Sequence, residues 1–292
     1  MLDERRENIS QFADGIKLFA VGLAKKVLIA NQMGVLWDTI RGTSSNGIVG
    51  AWIGIISYAF QIYFDFSGYS DMAIGLGRIF GFHFDENFNY PFICKDVSEF
   101  WQRWHISLST FFRDYLLYVP IFGKRRKYGG LFLVWFCTGL WHGASWNYII
   151  WGLYFGMFIF IEQLIGKKKM KKIPLAVRHI YNKIVIIIGF GIFYFEDLSR
   201  LGDFFKNLIG LNSNSFIDEF TKLSVTNNLY LIIIAVICCF PVAKVIQNLA
   251  KKNIGFSYTI AASRVAVNIA LLLVSSILLV DATNNPFLYF RF

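Results

Sequence analysis

Two histidines carry most of the chemistry this sequence offers. His142 lies near the middle of the apolar run Tyr128 to Gly166, YGGLFLVWFCTGLWHGASWNYIIWGLYFGMFIFIEQLIG, and His105 lies in SEFWQRWHISLSTFFRDYLL, residues 98 to 117. Imidazole has an ordinary pKa near ~6.5, so it can take a proton from a hydroxyl and return it to a leaving group at neutral pH. An ionisable side chain at membrane depth is costly and normally faces a cavity or the protein interior, which makes His142 a candidate functional residue. The competing reading of His142 is a histidine bonded to a backbone carbonyl that only locks two helices. His105 is either a second functional group or an interfacial histidine stacked between tryptophans.

The remaining ionisable groups offer less. Asp65, Asp71, Arg78 and His83 punctuate FDFSGYSDMAIGLGRIFGFHF, residues 64 to 84. The two aspartates are six positions apart, roughly 240° around a helix at 100° per residue, so one of them is expected to pair with Arg78 or to cap a helix. His179 stands beside Arg178 in a basic stretch and is read as solvated. Cys94, Cys137, Cys238 and Cys239 show no metal-ligand spacing and read as small packing residues. Haem or metal binding through His105 and His142 would need ligand spacing or a carboxylate partner that the sequence lacks, so the expectation is no metal.

The elements that must position the histidines follow from composition. Of 292 residues, 55% are hydrophobic and only 16% are charged, against about 25% charged in soluble domains. This indicates an all-α, polytopic transmembrane protein. The net charge of +10 comes in short clusters beside apolar runs, where Lys and Arg set topology and meet anionic lipid headgroups; nucleic acid is excluded as a partner. The N-terminus MLDERRENIS is too charged for a signal peptide.

The central run, as one straight helix, would be roughly 55 to 60 Å long at 1.5 Å per residue, nearly twice the ~30 Å hydrocarbon core. Lys124, Arg125, Arg126 and Lys127 precede it, and Lys167, Lys168, Lys169, Lys171 and Lys172 follow it. Basic clusters at both ends return both ends to one side, so the run is a broken or re-entrant hairpin. Its break falls near Gly143, Ala144 and Ser145, with His142 at the deep turn.

Around it, Phe12 to Trp37 is either an amphipathic surface helix or a tilted span whose Lys25 and Lys26 snorkel to the interface. Ile48 to Phe64 is a span, and Asn87 to Phe92 is a turn. An amphipathic helix starts near Asp96 or Ser98, with Trp101, Trp104, His105, Leu108, Phe112 and Tyr115 on one face, and lies in the headgroup plane or across a cavity mouth. Ile184 to Phe195, Leu229 to Val242 and Val265 to Val280 read as further spans. Ser199 to Asn228 reads as an outer loop, and the tail NNPFLYFRF lies near the outer face. The whole chain, 1–292, is expected to form one membrane-embedded domain around a central cavity.

The two histidine stretches, together with residues 64 to 82 and the terminal NPFLYFRF, resemble the membrane-bound O-acyltransferase family, in its bacterial alginate and peptidoglycan O-acetyltransferase-like branch. The resemblance runs from about Phe12 to the end, and it identifies the chain as similar to the C-terminal portion of such a protein. It implies His142 as catalytic histidine and His105 as a second functional histidine, placed nearer the cytoplasm to position the donor or relay the proton. It implies an acyl thioester donor, acetyl coenzyme A first, with no tightly bound cofactor. The acceptor is an exported glycan or an extracytoplasmic partner acyltransferase, and the site is the bacterial plasma membrane. The basic rim of Lys124, Arg125, Arg126 and Lys127 serves topology or attracts the donor's phosphates. The rival reading is a polymer-precursor transporter or flippase without acyl chemistry.

Overall fold

The computed structural model describes residues 8–42, 47–120, 127–211, 214–251, 254–280 and 287; among them the regular structure is helical, without strands. Of the described helices, four are long and apolar enough to cross a membrane: Ile48–Ile79, Trp146–Ile165, Leu175–Tyr194 and Gly255–Val280. The rim residues Lys124, Arg125 and Arg126, and the tail apart from Phe287, lie outside the described residues. Two units share the chain, one from Met1–Val35, Phe60–Asn87 and Asn228–Arg291, the other from Leu36–Ala59 and Phe88–Asn227.

In the first unit, α1 (Ile9–Ala24) continues through a π-helical turn, Lys25–Ala30, into α2 (Asn31–Arg41). It packs against the second half of α3 (Ile48–Ile79) through reciprocal glycines. A Cβ at Gly15 would sit 2.6 Å from the Gly75 carbonyl oxygen, and one at Gly22 would sit 2.6 Å from that of Gly68. Backbones this close need residues without side chains. Lys25 and Lys26 do not snorkel; carboxylates of α3 hold them. Lys26 forms a buried ion pair with Asp65, and Lys25 Nζ lies 2.6 Å from Asp71 Oδ2.

The aspartates therefore pair with the turn after α1, rather than with Arg78 or a helix start. Neutralised in this way, they let α3 run on where a span ending at Phe64 was expected. Further along this unit, α12 (Leu229–Cys238) has 10 residues, about 15 Å, and alone is too short for the span expected over Leu229 to Val242. After α13 (Val242–Ala250), α14 (Ile254–Val280) is longer than predicted, with most of its apolar side chains exposed.

The second unit holds both histidines. The stretch expected to be one amphipathic helix is two, α4 (Val97–Trp101) and α5 (Ile106–Tyr115). Asp96 caps the first, its carboxylate accepting the Glu99 N–H at 2.8 Å. The central run is α6 (Lys127–His142) and α7 (Trp146–Ile165), broken at 143–145 as expected. The short α8 (Lys167–Met170) leads to α9 (Leu175–Tyr194), which starts nine residues before the predicted Ile184 and takes in Arg178, His179 and Lys183. His179 thus stands half-buried on the first turns of a helix, not in a solvated loop. The predicted outer loop contains α10 (Leu198–Ile209) and α11 (Glu219–Asn227); α10 turns Leu201, Phe204 and Leu208 inward.

Candidate functional site

The α6–α7 hairpin closes backbone to backbone because its facing positions are glycine. A Cβ at Gly139 would overlap the Tyr148 carbonyl, and one at Gly152 would overlap the Trp135 carbonyl. His142 is the last residue of α6, at the tip. Its ring centroid is 4.9 Å from Trp141, 5.1 Å from Trp151, 5.0 Å from Phe193 on α9 and 6.2 Å from Tyr148. The first three contacts are edge-on, a favoured geometry for aromatic pairs. Asn147 fixes the α9 wall, its side-chain N–H donating to the Phe193 carbonyl at 2.8 Å. No hydrogen bond reaches the His142 ring from the described residues, so among them ring packing orients it.

A second hairpin stands beside the first. Near the basic end of α7, the Glu162 carboxylate accepts the N–H groups of Val97 and Ser98 at the start of α4. Midway along, Trp101 lies 4.9 Å from Trp135 and Phe155 and 5.5 Å from Trp151. At the far end, His105 lies 6.1 Å from Trp141. The chain then turns back along α5, and by Leu117 its carbonyl abuts Gly130, in the first turn of α6. Residues 97–117 therefore run along the hairpin to its tip and return, as two helices where one continuous helix was expected. From Gly130 to His142 is roughly 18 Å along α6, and His105 reaches the deep end.

His105 makes this turn possible. Its φ of 46° and ψ of 56° lie in the left-handed region, costly for a residue with a side chain and held only where the surroundings over-determine it. Those surroundings are specific. Asn89 and Arg103 exchange backbone and side-chain bonds, the Asn89 N–H to the Arg103 carbonyl at 2.9 Å and the Arg103 guanidinium to the Asn89 carbonyl at 3.1 Å. Arg103 also pairs with Glu99 at 2.8 Å. The Ser109 hydroxyl donates to the Trp101 carbonyl at 3.2 Å, tying α5 to α4. His105 is buried, with Nδ1 3.4 Å from the Ser107 hydroxyl, and within electrostatic reach of His142.

The structure thus brings the two sequence-predicted site residues together, each at the tip of its own hairpin, with the Trp141 ring against both. His105 stands against Trp141, at the end of α6 away from Lys127. Sequence reasoning missed Trp151 and Phe193 as the walls around His142, and it missed Glu162. An isolated glutamate inside an apolar span was the available signal.

Comparison with known proteins gives the following. The model of the membrane-bound O-acyltransferase family matches residues 36–201, an interval that contains both hairpins. A Pseudomonas putida protein named probable alginate O-acetylase is 36% identical over 99% of this chain and 63% of its own length. The peptidoglycan O-acetyltransferase of Helicobacter pylori is 37% identical over 71% of this chain and 41% of its own length. The teichoic acid D-alanyltransferase of Bacillus subtilis is 34% identical over 55% and 44%. The chain spans less than two thirds of the length of each.

Proposed function

Because the chain belongs to the membrane-bound O-acyltransferase family, we propose that it forms the histidine-bearing part of an enzyme that moves an acyl group from a cytoplasmic thioester to an exported glycan, or to an extracytoplasmic partner acyltransferase. The group is acetyl in the first instance, with acetyl coenzyme A as donor, and the setting is the bacterial plasma membrane. The names of the relatives support this class, and two of the three describe O-acetyl transfer.

The observation that carries the proposal is the His142 ring, packed edge-on against aromatic rings at the tip of a hairpin, with His105 beside it. In the step this suits, His142 takes the proton of the acceptor hydroxyl as that oxygen attacks the thioester carbonyl. The C–O bond forms, the C–S bond breaks, and the imidazolium returns its proton to the departing thiolate. The aromatic walls exclude competing water. His105 positions the donor carbonyl or relays the proton.

The test is His142→Ala in the full-length protein, with acyl groups on the exported glycan measured. Loss of acylation with export intact is expected. Unchanged acylation removes the proposal, and loss of export with acyl chemistry intact favours a transporter.

A further inference from the structure

Glu162 is a carboxylate near the end of a 20-residue apolar span, buried, and at a position where an apolar residue would be expected. It accepts three hydrogen bonds from one place, the start of α4: the Val97 N–H at 2.7 Å, the Ser98 N–H at 2.8 Å and the Ser98 hydroxyl at 2.6 Å. The first N–H groups of a helix have no partner within it, and a carboxylate is favoured there. Asp96 grips the same turn from the other side. One of its oxygens accepts the Glu99 N–H, and the other accepts the Arg178 guanidinium of α9 at 2.8 Å. Tyr181, also on α9, faces Glu162.

We infer that Glu162 is a positioning residue for His105, fixing the second hairpin at its base so that its tip meets His142. This rests on the roles assigned to the two histidines above. The contacts of Trp101 with Trp151 and Phe155 of α7 bury surface but fix position along the helix less sharply than hydrogen bonds do, so they would tolerate a slide of α4 along α7. Hydrogen bonds are directional and weaken steeply once misaligned. From Val97 the chain is a single short helix and a three-residue turn, so a shift at the clamp is passed on to His105. Both carboxylate oxygens serve as acceptors here, which a side chain with a single acceptor oxygen cannot match.

The experiment uses the full-length protein in inverted membrane vesicles, with radiolabelled acetyl coenzyme A as probe and label in glycan as readout, normalised to folded protein. Glu162→Gln is expected to lower kcat roughly 10- to 100-fold, the order that small misplacement of reacting groups costs, with KM for acetyl coenzyme A little changed. The double variant Glu162→Gln/His105→Ala should be no slower than His105→Ala alone, because the two act as a unit. Ser98→Ala, which keeps both backbone bonds, should show a smaller loss with the same dependence on His105. It carries the test if Glu162→Gln does not accumulate. Losses that multiply in the double variants, or a rise in KM with kcat intact, overturn the inference about Glu162. If His105→Ala itself turns over like the natural protein, the role of His105 falls, and that of Glu162 with it.

Discussion

At Lys26 and Asp65 an ammonium and a carboxylate meet each other between packed helices; at His142, among the described residues, an imidazole meets aromatic rings edge-on. Both places put ionisable groups among apolar helices, which is expensive in either case. In the first unit the cost is offset by opposite charges at matched depth, with Lys25 and Asp71 repeating the arrangement nearby. In the second, a group that can stay neutral is enclosed by aromatic rings, and its nitrogens are not used by the described side chains. Polar groups that satisfy one another define how helices pair. A polar group left open by a rigid surround is available to a substrate.

This contrast predicts different failures. The largest effect belongs to His142→Ala: acyl transfer should drop about 10²- to 10⁴-fold, the usual contribution of a general base, while the amount of folded protein in membranes stays the same. Lys26→Met should do the reverse. Removing one partner of this buried ion pair costs about 3–5 kcal/mol, so folded protein should be lost, with whatever remains working normally; adding Asp65→Leu should restore the amount. Detergent size-exclusion profiles and specific activity separate the two outcomes, and a Lys26→Met protein that accumulates normally but is inactive would break the comparison.

A smaller effect is expected at the wall. Trp151→Leu removes a ring edge-on to His142 and should lower kcat roughly tenfold with modest loss of stability, since orientation is what the ring supplies. The smallest is Ser107→Ala, which removes a long 3.4 Å contact to His105 and should cost about twofold in rate, an effect that sharpens how far His105 depends on hydrogen bonding.

Much of this was legible in the residues. Basic clusters at both ends of an apolar run too long to cross once required a hairpin, and Gly143, Ala144 and Ser145 located its break. His142 and His105 could be singled out because ionisable groups are rare in such company. The start of α4 at Asp96 was readable from its capping side chain.

What sequence periodicity could not show was the break at His105. Its apolar spacing of three and four reads as a continuous face, and a left-handed residue leaves no mark in that pattern. The same limit hid the partners of Asp65 and Asp71. Local spacing offered Arg78, whereas Lys25 and Lys26 are some forty positions away and become neighbours only when glycines let α1 and α3 touch.

Composition and charge distribution by themselves determined the helical membrane class and the hairpin, because those depend on local hydrophobicity and on the length needed to cross hydrocarbon. Only the tertiary structure decided that two hairpins stand side by side with a histidine at each tip, and that Glu162 ties their bases. Such pairings depend on directional bonds between residues distant in the chain, and no local pattern encodes them.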